Sequence, residues 1–185
     1  MNLPTQYKFL DEIGVLPKML AAALQYLGVK EIPGAASNPV IMEMARGLGV
    51  SNIYTNDDTS WCALFINHLI RINGKPIVDY KGDKYNLLRA KYMLNWGQSV
   101  KLEDALLGDV VIIERPGGGH VFILIGFTKA GNLIGIGGNQ GNKVSIAEFD
   151  KDRVLGVRRY YATGIPASAK RYVLNSEGVV STNEA

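Results

Sequence analysis

The hydrophobic pattern of the chain changes its period near Gly108. Four segments before this glycine have apolar residues at helical spacing: 17–27, 39–48, 62–72 and, more weakly, 87–96. After it, short β-branched stretches separated by glycine-containing turns predict strands over 109–114, 120–127, 133–137, 143–149 and 154–161. Helices followed by an antiparallel run of strands predict an α+β fold, with N-terminal helices packed on a C-terminal antiparallel β-sheet.

The length of 185 residues and the hydrophobic content of 47% fit one domain with a core of ordinary size. We predict that this domain spans residues 1–165 and begins with a lead-in over 1–14. Residues 166–185 form a tail in which 172–174 and 179–180 predict a weak hairpin.

Charge and cysteine content exclude several classes of function. The net charge of +3 is too mild and too evenly spread to predict nucleic-acid binding. A single cysteine excludes an intramolecular disulfide, and no zinc spacing is present, so no cofactor is predicted. No apolar run approaches the roughly 18 residues of a membrane span. Asp11 and Glu12 interrupt the first apolar stretch, so we expect no signal peptide and synthesis in a cytoplasm.

The single cysteine, Cys62, lies where a polar loop meets the buried helix. Asp58, Thr59 and Ser60 are candidate N-caps, which places Cys62 in the first helical turn. The helix dipole and the unpaired N–H groups there stabilise a thiolate, the reactive form of cysteine. A small buried hydrophobe is the alternative interpretation.

A cysteine nucleophile needs a base, and the base needs a group that orients it. His68 lies about 240° around the helix from Cys62, so we interpret it as structural. His120, which starts a strand after three glycines, is the candidate base. Asn139 and Gln140 follow the neighbouring strand, and either can supply the orienting group.

Four short motifs together resemble the CHAP and NlpC-like peptidoglycan amidases and peptidases. They are Trp61-Cys62-Ala63, Gly108-Asp109-Val110-Val111, Gly119-His120-Val121 and Gly137-Gly138-Asn139-Gln140. The resemblance covers residues 16–160 and is closest to a CHAP-like subgroup common in phage and prophage lysis proteins. It implies a papain-like fold, with Cys62 as nucleophile, His120 as base and Asn139 as the orienting residue. CHAP enzymes often carry a glutamate two residues before that asparagine; Gly137 stands there, so the resemblance implies a triad.

The implied reaction is hydrolysis of a wall amide bond, either N-acetylmuramoyl-L-alanine or a peptide bond. The Cys62 backbone N–H is expected to hold the oxyanion, with Tyr54 as a candidate second donor. Gln140 is expected to contact substrate, as are Trp61 and Trp96, for which a position in the hydrophobic core is the alternative. Asp57 and Asp58 resemble an acidic loop that binds calcium in some CHAP enzymes, but their spacing favours capping and solvation, so no metal is predicted.

These expectations describe an endolysin-type enzyme. Its partner is bacterial peptidoglycan, without membrane or nucleic acid, and it acts as a monomer. It resides in the host bacterial cytoplasm and reaches the wall after release, or it is carried in the virion. One alternative is a non-catalytic wall-binding or virion component with the same fold. Another is a papain-like enzyme that acts on a different acyl substrate.

Overall fold

The computed structural model describes residues 3–174 and contains three α-helices within that range. They are α1 (Lys18–Gln25), α2 (Pro39–Gly47) and α3 (Cys62–Ile72). Short 3₁₀ helices span Thr5–Asp11, Lys84–Leu88, Ala90–Asn95, Leu102–Asp104 and Lys151–Arg153. Within residues 3–174, none of the helices is long and apolar enough to cross a membrane.

Local signals account for two of these helices. The Asn38 side chain caps α2 by accepting from the Val40 amide at 2.8 Å, and Pro39 occupies the first helical position. α3 has the predicted bounds, and its residues 62–70 are all buried. The predicted helix over 87–96 is instead two 3₁₀ helices, because Arg89 between them has extended backbone angles.

Seven strands in the described part of the chain form one sheet. They are β1 (Gln98–Val100), β2 (Val110–Arg115), β3 (Gly118–Thr128), β4 (Leu133–Gly137), β5 (Ser145–Phe149), β6 (Val154–Arg159) and β7 (Val173–Leu174). The order is β1-β6-β2-β3-β4-β5, with β7 beside the end of β3. The pairs along this order are antiparallel, whereas β7 runs parallel to β3. The predicted α+β class is therefore confirmed.

The sheet is not a simple meander. β2 to β5 follow one another as predicted, but β6 returns across the molecule to pair with β2 on the other side. β1, which the sequence did not predict, pairs with β6. Residues 173–174 pair with β3, and the predicted hairpin partner, residues 179–180, lies outside the described range.

The two faces of the sheet bury different apolar clusters. Val121, Ile123 and Ile125 of β3 belong to the larger cluster, which includes α3. Phe122 and Leu124 belong to a smaller cluster on the opposite face. This alternation follows from the two-residue period of a strand. The start of β3 lies beside the start of α3, where the Val121 amide neighbours Cys62.

Gly108 and Asp109 connect the helical half to the sheet. Gly108 has φ +93°, and a Cβ there would approach the Pro17 ring to 2.6 Å. The buried Asp109 carboxylate accepts from Arg159 Nε and Nη2, each at 2.7 Å, and from the Leu106 amide at 2.8 Å. The Gly-Asp pair therefore has a structural role, joining the start of β2 to β6.

Candidate active site

Cys62 is the first residue of α3, so the predicted position in the first helical turn is confirmed. The predicted side-chain cap was wrong, because Trp61 is the N-cap and makes no capping hydrogen bond with its side chain. Thr59 instead bonds to Asn56 Oδ1 through its amide and its hydroxyl. Ser60 turns its hydroxyl toward Cys62.

The backbone amide of Val121 neighbours the Cys62 thiol and lowers its pKa, at a position of β3 beyond the residues that pair with β4. The Leu124 amide donates to Asp109 O, on the β2 side, so the amides of odd-numbered residues here point toward β4. Pairing of Ile123 with Ile136 would bring residue 138 opposite Val121, one position beyond the end of β4. The Val121 amide therefore faces the thiol at a position that β4 does not reach.

His120 precedes Val121, and its ring is fully buried. It lies against Phe122 and Phe149, with ring centroids 6.0 and 5.4 Å away. The ring thus stands on the face of β3 opposite α3, while the thiol reaches the same segment through the open edge. His120 and Val121 are consecutive residues of β3, and Cys62 neighbours the second of them.

Gln140, and not Asn139, contacts the His120 ring, so the assignment of Asn139 as the orienting residue is off by one. His120 Nε2 and Gln140 Oε1 are 3.1 Å apart. Gln140 Nε2 donates to Ser145 O at 2.7 Å, which leaves Oε1 as the atom that faces the ring. His120 Nε2 must therefore carry the hydrogen, and in the neutral ring Nδ1 is then the basic nitrogen.

The local backbone explains the exchange of these two side chains. Asn139 has φ +59°, a left-handed conformation that turns the chain, and its Nδ2 donates to Ser60 Oγ at 3.4 Å. A Cβ at Gly137 would collide with Gln140 Oε1, so glycine there leaves room for the Gln140 side chain to fold back. A Cβ at Gly138 would come within 2.6 Å of the Trp61 ring.

Ser60 lies at the centre of a polar cluster beside the thiol. Its Oγ accepts from Asn139 Nδ2 and from Arg115 Nη2, each at 3.4 Å. Because the oxygen accepts from both, the hydroxyl hydrogen is available to the Cys62 sulfur.

Burial raises the pKa of the Cys62 thiol, and this effect outweighs four stabilising ones. The pKa is lowered by the Val121 amide, the Arg115 charge, the Ser60 hydroxyl and the Ala63 amide. Desolvation therefore opposes the stabilising effect that the helix start has on a thiolate. A base must remove the proton before the sulfur can react.

A cleft of about 310 Å³ opens onto Cys62. Leu88, Arg89, Ala90 and Lys91 form one wall, and Ser60, Arg115, Gly118 and Gly119 complete the lining. The nucleophile candidate, although only 3% exposed, is thus reached from a cavity large enough for part of a peptide.

The aromatic residues predicted to contact substrate lie outside this cleft. Tyr54 is buried and donates to Thr59 O at 3.1 Å, and Trp61 is buried and donates to Glu31 Oε1 at 2.7 Å. Trp96 donates to Pro76 O at 2.8 Å and lines a separate groove of about 410 Å³. Each polar ring atom has its partner within the protein, as is usual for buried aromatic residues.

His68 and Asp57 have structural partners. His68 Nε2 lies 2.8 Å from the Tyr26 hydroxyl, and burial lowers the pKa of His68 to about 4. The buried Asp57 accepts from the amides of Ile32 and Asn38 at 3.1 and 2.7 Å, so it holds the loop before α2. Within residues 3–174, no three His, Cys, Asp or Glu side chains are grouped to hold a metal ion.

Sequence reasoning missed Arg115 and the role of Ser60. Arg115 ends β2 just before the glycine turn that leads to His120, and Ser60 stands two residues before Cys62. These positions next to the two reactive candidates are the signal in the sequence. Ser60 was predicted only as a helix cap, a role that Ser, Thr and Asp share.

No protein-family model matches this sequence, and neither does any curated protein. Functional assignment therefore depends on the geometry around Cys62 and on the motif resemblance.

Proposed function

We propose that the protein is a cysteine-dependent hydrolase with a papain-like site that cleaves an amide bond in bacterial peptidoglycan. Cys62 is the nucleophile, His120 the base and Gln140 the residue that orients the base. The observation that carries the proposal is the hydrogen bond that His120 Nε2 donates to Gln140 Oε1, in a strand whose next residue, Val121, neighbours the Cys62 thiol at a helix start. The motif resemblance supplies the substrate class and an endolysin-type role from a phage or prophage.

In this mechanism, His120 Nδ1 takes the proton from the Cys62 thiol. The resulting thiolate attacks the substrate carbonyl carbon, and the carbonyl oxygen gains the negative charge. The Cys62 backbone N–H has no acceptor within the helix, because it belongs to the first turn, and it stabilises that charge.

His120 then donates its proton to the leaving amine, and the C–N bond breaks to form a thioester. Water, deprotonated by His120, attacks the thioester carbonyl and releases the carboxylic acid. The proton returns to the Cys62 sulfur. Gln140 Oε1 accepts from Nε2–H in both charge states of the ring, so the ring keeps its orientation throughout.

A specific observation favours the alternative of a non-catalytic wall-binding component. Cys62 is 3% exposed, His120 is fully buried, and the thiol pKa is raised by burial. Such a component would bind peptidoglycan without turning it over.

Digestion of purified sacculi distinguishes these functions. We expect the wild-type protein to release soluble fragments, and mass spectrometry to identify the new termini. New N-termini on alanine identify an amidase, whereas any other new N-terminus identifies an endopeptidase. Folded Cys62→Ala should release nothing. His120→Ala should lower kcat/KM by about three orders of magnitude or more, since nucleophile and base act as a unit.

His68→Ala is the matched control, because His68 is the chain's other histidine and lies away from the cleft. It should change stability and leave kcat/KM within a few-fold of wild type. Binding of wild-type protein to sacculi without release of fragments would overturn the proposal in favour of the non-catalytic function.

A further inference from the structure

Three cationic side chains lie on the cleft that opens onto Cys62. Arg89 and Lys91 are on one wall, and Arg115 is on the other. Among the described residues that line this cleft, none is acidic. The cleft is therefore an electropositive place for part of a substrate to bind.

Arg89 and Lys91 each have a carboxylate partner outside the lining. Arg89 Nη1 lies 3.1 Å from Asp83 Oδ2, and Lys91 forms an ion pair with Glu114. These pairs are about half exposed, so water and salt screen them. Arg89 and Lys91 contribute less to the recognition of an anion than their formal charges indicate.

Arg115 is placed differently. It is partly buried at the end of β2, and its Nη2 donates to the Ser60 hydroxyl, which neighbours the Cys62 sulfur and lowers its pKa. The Ser60 hydroxyl lies between the guanidinium and the sulfur, which puts these two groups within about 7 Å of each other. An extended peptide covers that distance in about two residues.

We infer that Arg115 binds a substrate carboxylate within about two residues of the amide bond that Cys62 attacks. This inference rests on the proposed function and narrows its substrate class to acidic stem peptides. A planar guanidinium matches a carboxylate through two parallel hydrogen bonds, which a neutral amide cannot reproduce. In peptidoglycan, the γ-linked D-glutamate offers such an α-carboxylate, which some walls convert to the amide of D-isoglutamine.

Two synthetic muropeptides that differ only at this group provide the test: N-acetylmuramoyl-L-Ala-γ-D-Glu-L-Lys-D-Ala and its D-isoglutamine analogue. We expect wild-type protein to cleave the carboxylate form with a kcat/KM at least about tenfold higher. Arg115→Gln should abolish this preference, mainly through a higher KM for the carboxylate peptide. Arg115→Lys should keep part of the preference, because it retains charge without the planar geometry.

Arg46→Gln is the control, since it removes the same charge from an exposed site on α2 that is outside the cleft. It should retain the wild-type preference. Equal cleavage of the two peptides by wild-type protein would overturn the inference. So would an equal loss of kcat for both peptides in Arg115→Gln, which would mean that Arg115 acts only on the thiol.

Binding to the inactive Cys62→Ala protein separates this inference from the proposed function. Calorimetry with the same two peptides should give a dissociation constant at least about tenfold lower for the carboxylate form. Adding Arg115→Gln should remove the difference. If wild-type protein cleaves neither peptide but this preference remains, hydrolysis fails and carboxylate recognition stands; if Cys62→Ala binds neither peptide, or both equally, carboxylate recognition is overturned.

Discussion

The side-chain amide of Gln140 bonds at both ends, to the His120 ring and to the Ser145 carbonyl. The second bond decides which atom the ring meets, so the histidine tautomer depends on a residue of β5. Asn139 instead reaches Ser60 and belongs to the thiol side of the site. The two adjacent residues thus support different members of the proposed catalytic pair.

Gln140→Ala should lower kcat by about one to three orders of magnitude, less than the roughly two to four orders that a positioned acid–base group itself contributes. The reason is that the ring loses the acceptor that holds Nε2–H. Asn139→Ala should have a smaller effect, because it acts through Ser60 at a bond length of 3.4 Å. The measurement is kcat and its pH profile on muropeptides, and Gln140→Glu, which retains an acceptor, should recover part of the rate. A larger loss in Asn139→Ala than in Gln140→Ala would return the orienting role to Asn139.

At the scale of elements, α3 presents two different groups along its length. Its first turn holds Cys62 against the Val121 amide, and its second half holds His68 against Tyr26. The His68 and Tyr26 rings meet edge to face, with centroids 5.4 Å apart. A buried neutral histidine at this contact makes the packing of α3 on the α1 region sensitive to acid.

The stability of the protein should fall as the pH is lowered through the range in which His68 titrates. The folded-state pKa is about 4, below the unfolded value near 6.5, so the unfolded chain binds the proton first. The contribution of His68 is complete above pH 6.5 and is lost as the pH falls toward 4. Between pH 7.5 and 5.0 it amounts to about 2 kcal/mol of unfolding free energy.

Urea unfolding at pH 7.5 and 5.0 measures this loss. His68→Gln keeps a polar partner for the Tyr26 hydroxyl but does not titrate. Between pH 7.5 and 5.0, the unfolding free energy of this variant should therefore fall by about 2 kcal/mol less than that of the wild type. Equal pH dependence in wild type and variant would show that His68 does not carry the effect.

At the scale of the whole molecule, several contacts join the later part of the described chain to its middle. The bidentate pair of Asp109 and Arg159 is one of them, because it ties the start of β2 to the end of β6. The Asp109 side chain is fully buried and that of Arg159 is 15% exposed. Their bonds hold the returning strand β6 against the strand that leads into the His120 turn.

Asp109→Ala should reduce the unfolding free energy by about 3–5 kcal/mol, because it leaves a largely buried guanidinium without its carboxylate. Chemical denaturation followed by circular dichroism measures the change. Asp79→Ala removes the carboxylate of an exposed pair with Lys81 and should leave the denaturation midpoint nearly unchanged. Similar small effects in both variants would show that the buried pair is not a structural clamp.

The sequence by itself determined the α+β class, the bounds of α3 and β4, and the place of Cys62 in the first helical turn. These features depend on interactions between residues close in the chain. Hydrophobic period, a proline after an asparagine cap, and glycine-bounded β-branched runs specify them without reference to distant segments.

Tertiary structure alone decided the other features of the site. Gln140 replaced Asn139 beside His120 because Asn139 adopts a left-handed backbone and Gly137 leaves space for the longer side chain. The thiol pKa rose because burial, which depends on the whole fold, outweighed the local effect of the helix start. Arg115 reached Ser60 across 55 residues of sequence. Each outcome depends on where distant backbone segments end and on which groups they bury away from water. A local sequence pattern encodes neither the positions of those segments nor that burial.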